Sequence, residues 1–542
     1  MNFLNEGFCP DNEIVCRAIV EKLVDIQSPT KEDLNRIKLV VCRKLHATII
    51  KDSEILSFLK AHNKLEMIKS LRSKPTRMIS GVNVVAVMTS PSKCPHGRCA
   101  YCPGGPEYNV PQSYTGHEPA ALRGTQNEFD PFSQVKNRME QLRVIGHDVS
   151  KVELIVMGGT FPARDMSYQT SFVKGCLDAI NGVNSLNFEE TKRKAEKSKV
   201  RNVGITFETR PDYCKESHVD QMLELGVTRI ELGVQNIYDD VYRLVERGHT
   251  LQDVIDATRV AKNAGLKVCY HMMLGLPNSS FDRDLEAFKT LFRNQNFMPD
   301  MLKIYPCLVL RSAKIYDWWK DGKYKPYTLE EATNLIVEIK KILPAWVRIM
   351  RIQRDIPAKL IVAGIKKGNL RQLVWQEMKK RGLKCPCIRC NEVGHRRFFD
   401  DITPQVENIQ MVKRRYKASN GAEIFISAED KENEVIIGYV RLRFPSPGTH
   451  RSEINFENTS IIRELHIYGP LVPLGEGAGD AWQHRGYGKM LLEEGERISL
   501  ENGRTRVVVN SALGVREYFR LLGYHSLGPY MEKDLADSNL YH

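Results

Sequence analysis

Six short apolar runs between residues 80 and 310 constrain the fold of this chain of 542 residues more than any other feature. Several are apolar without alternation, as strands covered on both faces tend to be. Amphipathic stretches lie between them, so strand-then-helix units follow one another along the chain. Such a series predicts an α/β fold with a parallel sheet, open or curved into a partial (β/α)6 barrel, whose chemistry sits at the loops after the strands. The runs are 81–88, 152–159, 203–209, 229–235, 266–275 and 301–306. The predicted helices include 131–146, 216–225, 251–264 and 282–293.

The residue patterns before and after this predicted sheet divide the chain into four parts. Residues 1–75 have apolar positions at helical spacing, which predicts a basic helical region that ends near the polar stretch 73–77. The predicted sheet occupies 76–310, and a mixed, strongly basic connector follows at 311–397. Residues 398–542 have the pattern of a smaller α+β domain. Its predicted strands are 423–427, 434–444, 459–469 and 506–510, with helices near 488–501 and 515–522, and the polar run 189–199 is predicted to be a solvated loop or helix end.

Composition and the first residues indicate the cell compartment. No apolar run reaches the roughly 18 residues that a membrane-spanning helix needs. The N-terminus lacks the basic and apolar segments of a signal peptide. The 13 cysteines, an odd number, argue against a disulfide framework. We therefore expect a soluble, cytoplasmic protein with no membrane partner, whose cysteines are packed in the interior or hold metals.

Three cysteines follow directly on the first predicted strand. Cys94, Cys99 and Cys102 have the spacing C-x4-C-x2-C, so three thiolates within nine residues can surround one metal centre. A 4Fe–4S cluster held by three cysteines keeps one iron open for a substrate. Zinc is the alternative, with His96 as a fourth ligand. The aromatic residue before the last cysteine and the place after a first strand resemble the radical S-adenosylmethionine enzymes, although their usual spacing is one residue shorter.

The ends of the following strands supply candidates for binding S-adenosylmethionine. Gly158 and Gly159 follow the second strand and let backbone groups approach the methionine part of that cofactor. Glu208 and Arg210, after the third strand, are suited to an amine or ribose hydroxyl and to a carboxylate. Gln235 ends the fourth strand. A glycine pair alone is usually a turn, and a Glu/Arg pair is often a local ion pair, but their succession behind a three-cysteine loop favours a cofactor site.

A second binding motif lies in the C-terminal domain. Gln483, Gly486 and Gly488 form a Q-x-x-G-x-G loop that opens a predicted helix, and convergent N–H groups at a helix N-terminus bind pyrophosphate. The order of strand, loop, helix, strand and helix resembles the GNAT acetyltransferases, which bind acetyl-CoA. In that fold the strand before the loop splays from its neighbour and pairs with the pantetheine arm. The resemblance assigns the arm to Glu464, Leu465, His466 and Ile467, and the pyrophosphate to Tyr487, Gly488 and Lys489.

A third group of cysteines lies in the basic connector. Cys385, Cys387 and Cys390 place three thiolates within six residues, which predicts a compact structural zinc site at the junction of the modules. His395 is a sequential candidate for a fourth ligand. The alternative, loose surface thiols, would leave three cysteines open to oxidation.

The net charge of +13 is local rather than global. Residues 341–417 hold 19 basic and 6 acidic residues, which accounts for the entire excess. A basic surface of this kind favours a polyanion such as RNA, and aromatic side chains nearby can stack on unpaired bases. A solvated face is the alternative. The basic candidates are Arg348, Arg351, Arg354, Lys359, Lys366, Lys367, Arg371, Lys379, Lys380 and Arg381, and the aromatic ones are Tyr324, Tyr327 and Trp375.

Both modules together, with the motifs PGGPEY, VELIVMGGTFP, RIELGVQN and RELHIYG, closely resemble the catalytic subunits of Elongator. The resemblance implies an enzyme that uses S-adenosylmethionine, a 4Fe–4S cluster, zinc and acetyl-CoA to install a carboxymethyl group at C5 of the tRNA wobble uridine. It implies catalytic roles for Lys151, Tyr518 and Glu464, and it places Phe519 against CoA where the family usually has a second tyrosine. In the chemistry that the resemblance implies, a radical abstracts a hydrogen atom from the acetyl methyl group, and the resulting carbon radical adds to C5 of the uridine.

The same resemblance implies the partners. The expected substrate is a tRNA anticodon stem-loop at the basic junction, and Elongator-type partner subunits or a second copy of the chain are expected as well. Two other functions remain open. One is a protein lysine acetyltransferase of the histone type in which the radical module is structural, and the other is a non-catalytic RNA-binding scaffold.

Overall fold

The computed structural model describes residues 10–26, 29–62, 79–471 and 482–536. The chain divides into two compact units, Met1–Met78 with Lys136–Ser150, and Ile79–Val135 with Lys151–His542. Within the described ranges, no helix is long and apolar enough to cross a membrane. The predicted boundary at 73–77 lies outside the described residues.

The N-terminal part of the first unit consists of helices, as predicted. Thr30 caps the second helix through a reciprocal pair of bonds with Asp33, the capping-box arrangement that satisfies free N–H groups. Apolar side chains such as Ile19, Leu34 and Leu56 are fully or almost fully buried and hold the helices together. The helices are Pro10–Val24, Lys31–Lys44 and Asp52–Ala61.

A seven-stranded parallel sheet forms the first layer of the second unit. Its strands lie in chain order, β1-β2-β3-β4-β5-β6-β8, and curve as an open half-barrel. The six predicted strands are confirmed. The seventh, β8, was predicted as part of the basic connector, because two arginines interrupt the apolar residues of its short sequence RIMRI. The strands are β1 (Asn83–Met88), β2 (Lys151–Met157), β3 (Arg201–Thr209), β4 (Arg229–Gln235), β5 (Lys267–Leu274), β6 (Met301–Pro306), β7 (Val309–Leu310), β8 (Arg348–Ile352) and β9 (Ile361–Ala363), of which β7 and β9 form a separate ribbon.

Helices follow the strands, and side-chain caps begin several of them. Thr250 accepts the N–H of Asp253, and Ser280 accepts that of Arg283. The run 189–199, predicted as a loop or helix end, is mostly a helix of its own that is capped by Asn187 and buries Ala195. The helices of this region are Pro119–Gln126, Pro131–Val144, Met166–Asn181, Phe188–Lys197, Glu216–Glu224, Asp239–Leu244, Leu251–Asn263, Phe281–Arg293, Ile315–Lys320, Leu329–Lys341, Leu370–Lys380, Ile388–Asn391 and Val393–Asp400.

The strands of the half-barrel alternate between an apolar and a charged face. In β4, the apolar Ile230 and Leu232 alternate with Arg229 and Glu231, and all four are buried. Successive side chains point to opposite faces of a sheet. The charged set pairs across strands, so it occupies a single face. The apparently apolar runs of β4, β5 and β6 therefore also carry charged or titratable side chains, such as Glu231, His271 and Lys303, on one face of the sheet.

A second seven-stranded sheet follows in the C-terminal part, in the order β10-β11-β12-β13-β14-β16-β15. All of its pairs are antiparallel except β13 with β14. The helix Tyr487–Glu501 buries Leu491, Leu492 and Ile498 in the core of this sheet. The strands are β10 (Ile409–Ala418), β11 (Gly421–Asp430), β12 (Val435–Phe444), β13 (Thr459–Ile467), β14 (Arg506–Val509), β15 (His525–Leu527) and β16 (Tyr530–Asp534), and a short helix spans Arg516–Arg520.

The second sheet contacts the half-barrel at the N-terminal ends of its strands. Asn510 donates to the carbonyl of Val227 just before β4, at 3.4 Å, and to that of Gly265 just before β5, at 3.3 Å. Arg463 of β13 makes two 2.7 Å bonds to Asp300, the residue before β6. The C-terminal ends, where the cysteine loop lies, are at the opposite edge of the half-barrel.

Candidate functional site

The cysteine loop lies at the C-terminal edge of the half-barrel, directly after β1. Cys94, Cys99 and Cys102 are all buried, with at most 8% of their surface exposed. The N–H of Ala100 donates to the carbonyl of Val245 at 2.9 Å, which ties the loop to the segment after β4. The three cysteines therefore lie in one buried loop at this edge of the sheet.

Each of these sulfurs has its own polar neighbour. The Thr160 hydroxyl lies 3.6 Å from Cys94 Sγ, and the Gln112 amide nitrogen lies 3.1 Å from Cys102 Sγ. Arg247 Nη1 is 3.6 Å from Cys99 Sγ. Donors directed at sulfur stabilise thiolates, and such bonds also surround bound iron–sulfur clusters. The donor set fits a 4Fe–4S cluster. Sequence reasoning missed these three residues, because no motif links them to the cysteines.

His96 was the sequence candidate for a fourth ligand in a zinc site. Its Nε2 lies 3.1 Å from Cys99 Sγ, so it contacts the loop. Burial, with Arg210 and Arg247 nearby, lowers the pKa of His96 to about 3, which keeps the imidazole neutral.

The glycine pair after β2 lies beside the cysteine loop. Gly158 and Gly159 both have positive φ, 121° and 63°, which favours glycine. A Cβ on Gly158 would lie 2.5 Å from the Thr89 hydroxyl, so a larger residue would displace the loop. Gln235, at the end of β4, also has a positive φ of 68°. Arg210 makes two 2.9 Å bonds to Asp212, so its guanidinium has a local carboxylate partner.

A network of charged side chains fills the charged face of the half-barrel. Lys303 lies 3.2 Å from Glu208 and also pairs with Glu231, whose other neighbour is His271 Nε2 at 2.8 Å. Burial alone would raise the pKa of Glu231, but Lys303 and His271 overcome it and hold that pKa well below its usual range. Glu208 also accepts the Tyr114 hydroxyl at 2.9 Å. The charged residues within the otherwise apolar segments RIELGVQ and MLKIYP were the feature of the sequence that could have indicated this network.

The predicted acetyl-CoA motif lies at the opposite edge. Strand β13 pairs with β14 only from Thr459 to Ile462, so Arg463–Ile467 continue beyond the last pair, as the predicted splay requires. Gly486, with a φ of +86°, is the N-cap of the helix Tyr487–Glu501. It has no side chain that could accept hydrogen bonds from the first N–H groups of the helix. Those N–H groups can face an anion.

Gly488 lies close to two other predicted site residues, Tyr518 and Ile467. A Cβ there would lie 2.9 Å from the Tyr518 hydroxyl and 3.9 Å from Ile467. Phe519 does not join them, because it is buried in the core of the second sheet. Tyr487 is also buried, and Lys489 is at the surface, 3.6 Å from Glu493.

Strand β13 places its other predicted residues in buried contacts. Glu464 accepts from Arg441 at 2.8 Å. Burial would raise the pKa of Glu464, but Lys267 and Arg441 lower it to about 2. His466 is 3.2 Å from the Ser80 carbonyl, and Leu465 packs partly buried against the core.

One hydrogen bond joins the half-barrel to the glycine loop. Lys151, the first residue of β2, donates to Gln483 Oε1 at 2.9 Å. The amide nitrogen of Gln483 donates to the Ile467 carbonyl at 3.1 Å. Lys151, Gln483 and Ile467 therefore connect the N-terminal edge of the sheet to the splayed strand, although 332 positions separate Lys151 from Gln483 along the chain.

The third group of cysteines is also assembled. The sulfurs of Cys385, Cys387 and Cys390 lie within 4.8 Å of one another, a donor set for zinc or for an iron–sulfur cluster. Lys340 Nζ is 3.3 Å from Cys390 Sγ. The candidate fourth ligand His395 does not belong to the group in the described residues, since it lies 3.4 Å from Glu392 and stacks on Phe399.

The basic candidates divide into two kinds. Arg348 is buried and pairs with Glu392. Other basic residues with protein partners are Arg351 with Asp355, Arg354 with the Ser113 carbonyl, Arg371 with the Ile349 carbonyl and Arg381 with Glu377. The exposed ones are Lys359, Lys366, Lys367, Lys379 and Lys380. Among the aromatic candidates Trp375 is 45% exposed, while Tyr324 and Tyr327 donate hydrogen bonds to Gly275 and Asp284.

Three domain families match consecutive parts of the chain. Residues 12–79 match the ELP3 N-terminal domain, residues 88–291 the Radical SAM superfamily and residues 299–380 the Radical_SAM C-terminal domain. The second match includes Cys94, Cys99 and Cys102, and therefore favours the iron–sulfur reading of that loop over zinc.

Whole-length relatives extend these matches. A tRNA uridine(34) acetyltransferase of Methanocaldococcus jannaschii is 50% identical over 96% of this chain and 98% of its own. Elongator complex protein 3 of Drosophila melanogaster is 42% identical over 97% of both. The solved structure of the archaeal Methanocaldococcus infernus Elp3 with an N-terminal deletion covers 84% of this chain and 100% of its own, with 46% identity and a TM-score of 0.75. The chain therefore belongs to the radical S-adenosylmethionine enzyme family of the tRNA uridine(34) acetyltransferases and Elongator complex protein 3.

Proposed function

We propose that this enzyme installs a carboxymethyl group at C5 of the wobble uridine of tRNA, with S-adenosylmethionine and acetyl-CoA as reagents. The names of its relatives support a tRNA uridine as the substrate. The hydrogen bond from Lys151 to Gln483 carries the proposal, because it connects a strand of the radical-type half-barrel directly to the acetyl-CoA-type loop.

The cluster belongs in the loop of Cys94, Cys99 and Cys102. When bound there, a 4Fe–4S cluster would supply one electron to S-adenosylmethionine and so give access to hydrogen abstraction from a methyl group. Gly158 and Gly159 would let the backbone approach the methionine part, as their positive φ values allow. Glu208, Arg210 and Gln235 are the polar residues at the neighbouring strand ends, and they would orient the remaining groups of S-adenosylmethionine.

Acetyl-CoA belongs at the opposite edge. The N–H groups of Tyr487, Gly488 and Lys489 would bind the pyrophosphate, and the free edge of β13 would pair with the pantetheine arm. Tyr518 would place its hydroxyl against the bound CoA, at the point where it already approaches Gly488. Lys151 would direct its ammonium group toward the acetyl end of the molecule, where a cation polarises a thioester carbonyl.

The charged face of the half-barrel would connect the two reagents. Its paired charges extend from Glu153 and Arg229 through Glu231 and Lys303 to Glu208. Because these charges are paired and buried, they would hold polar groups of the uridine and the acetyl unit in fixed positions. Preorganised charges of this kind need little rearrangement during a reaction.

The lysine acetyltransferase alternative needs a base that accepts a proton from the lysine amine. Glu464 is poorly suited to that role, because its pKa is about 2 and its carboxylate is engaged by Arg441. A scaffold without catalysis has no use for three donors aimed at three cysteine sulfurs. Both alternatives are therefore disfavoured.

The tRNA would bind at the exposed lysines of the connector, with Trp375 available to stack on a base. A structural zinc ion would occupy Cys385, Cys387 and Cys390, where the cationic Lys340 offsets part of the thiolate charge. Partner subunits of the Elongator type, or a second copy of the chain, would position the rest of the tRNA.

The experiment is anaerobic incubation of reconstituted protein with S-adenosylmethionine, acetyl-CoA and tRNA, followed by mass analysis of the nucleosides. We expect carboxymethyluridine from the unmodified enzyme. Cys94→Ser should give none while tRNA binding persists, and Gln483→Leu should give little while iron content is unchanged. Product from the cluster-free Cys94→Ser variant, or acetylation of a lysine peptide without any tRNA product, would refute the proposal.

A further inference from the structure

A buried arginine lies beside the cysteine loop without a carboxylate partner. Arg247 is 7% exposed and follows the helix Asp239–Leu244. Its Nη1 is 3.6 Å from Cys99 Sγ, its Nη2 donates to the Gly233 carbonyl at 2.5 Å, and its Nε has no partner in the described part of the chain. The guanidinium is therefore satisfied by a thiol and a peptide group only.

The surroundings of Arg247 make its charge unusual. Among the residues that the structure describes, no Asp or Glu lies within ion-pair distance of it, whereas its neighbour Arg210 makes a two-point pair with Asp212. Arginine does not lose its proton in proteins. A buried cation without a counter-ion costs several kcal/mol. The groups around Arg247 that can carry negative charge are the thiols of Cys94 and Cys99 and the Tyr101 phenol.

We propose that Arg247 is the internal counter-ion of the iron–sulfur cluster, a positioning residue that favours cluster binding and stabilises the additional negative charge of the reduced state. The inference rests on the proposed function, because it requires a cluster on Cys94, Cys99 and Cys102. Thiolate ligands and the added electron make a cluster anionic, and a fixed cation in a low-dielectric site stabilises that charge strongly. Hydrogen bonds and charges near the sulfurs are known to set reduction potentials.

This role predicts opposite effects of one substitution in two forms of the full-length protein. Arg247→Met removes the charge and keeps similar volume. In chelated, cluster-free protein, the melting temperature should be unchanged or higher, because an unpaired buried cation is gone. In reconstituted protein, the melting temperature should fall below that of the unmodified chain, because the cluster has lost its counter-ion.

The cluster itself gives a second measurement. Reconstituted Arg247→Met should bind less iron per chain, and a redox titration followed by electron paramagnetic resonance should show a more negative midpoint potential. Arg247→Lys keeps the charge and should restore both quantities most of the way. Arg243→Met, an exposed arginine on the preceding helix, is the matched control and should behave like the unmodified protein.

Two results would overturn the inference. Equal destabilisation of the cluster-free and reconstituted forms by Arg247→Met would identify a merely structural side chain. Unchanged iron content and potential in Arg247→Met would show that the cluster does not use this charge. Neither result depends on tRNA or acetyl-CoA, so a failure here differs from a failure of the proposed function, which is measured by nucleoside product from the unmodified enzyme.

Discussion

The most specific structural prediction concerns the buried ion network between the half-barrel and the second sheet. Asp300 is completely buried and accepts two 2.7 Å bonds from Arg463 of β13. It also accepts the N–H of Val268 at 2.9 Å and lies 3.3 Å from Lys262. A single carboxylate thus pairs with a cation of the second sheet and with one of the helix Leu251–Asn263, and its removal should be costly.

The contacts set the size of the effect. Removing one partner from a buried ion pair costs about 3–5 kcal/mol, because the other charge stays buried without compensation. Asp300→Asn keeps one carbonyl oxygen for Arg463, so we expect about 3 kcal/mol of lost unfolding free energy. The double variant with Arg463→Met removes both charges and should be less destabilised than the sum of the single variants by about 2 kcal/mol. In this double variant, Glu423 still accepts a hydrogen bond from Arg443 at 2.9 Å, so its charge remains paired.

Urea unfolding followed by tryptophan fluorescence is the appropriate assay. Trp346 reports locally, because its carbonyl accepts from Arg441, a member of the same network. Asp256→Asn, an exposed pair member 3.6 Å from Arg259, is the control and should change stability by less than about 0.5 kcal/mol.

The pH dependence gives an independent check. Burial would raise the pKa of Asp300, but Arg463 and Lys262 hold it well below the ordinary 3.8. A depressed folded-state pKa contributes stability above the unfolded-state pKa and loses it as pH falls toward the folded value. The cost of Asp300→Asn should therefore have its full size near pH 6 and shrink below about pH 4. A cost near that of the control at neutral pH would refute the reasoning.

Three further predictions follow from other parts of the structure. Gly488→Ala should weaken acetyl-CoA binding about tenfold by calorimetry, because the new methyl group crowds Tyr518, whereas Gly495→Ala in the same helix meets nothing closer than 3.8 Å and should bind normally. Cys387→Ser should release the metal of the third cysteine group, measured by elemental analysis, without changing the iron bound at the first. Lys366→Gln combined with Lys379→Gln should weaken tRNA binding and reduce its salt slope by roughly 1.4–1.8.

Most of the fold could be predicted because strand-then-helix repetition is a local signal. The six strands of the half-barrel and the helices Glu216–Glu224 and Phe281–Arg293 match the predicted ranges within a few residues. Strand β8 could not be recognised, because a basic strand in a basic stretch resembles a linker. Strand β10 was also missed, because most of its side chains are only partly buried and its alternation is largely polar.

The site was harder to predict than the fold, because its partners come from distant positions. Lys151 and Gln483, or Arg463 and Asp300, meet only after both sheets have formed. Motifs identify groups that are adjacent in sequence, such as the cysteine triplets. They do not identify single donors such as Arg247, whose position depends on the loop after β4. Phe519 shows that residues adjacent in sequence can differ in exposure, since it is buried in the core of the second sheet while Tyr518 is only partly buried against it.

The structure also changes how the basic stretch is understood. Its excess charge suggested one continuous surface for RNA, but Arg348 lies inside the protein and pairs with Glu392, which Ser80 also contacts at 2.6 Å. Such an arginine connects β8 to the residues after the third cysteine group, and its loss should destabilise the protein rather than weaken RNA binding selectively. The exposed basic side chains, among them Lys366 and Lys379, can exchange counter-ions for phosphates. The basic residues of this stretch thus serve two purposes. Buried ones stabilise the fold and exposed ones can contact phosphates, and net charge alone does not distinguish the two.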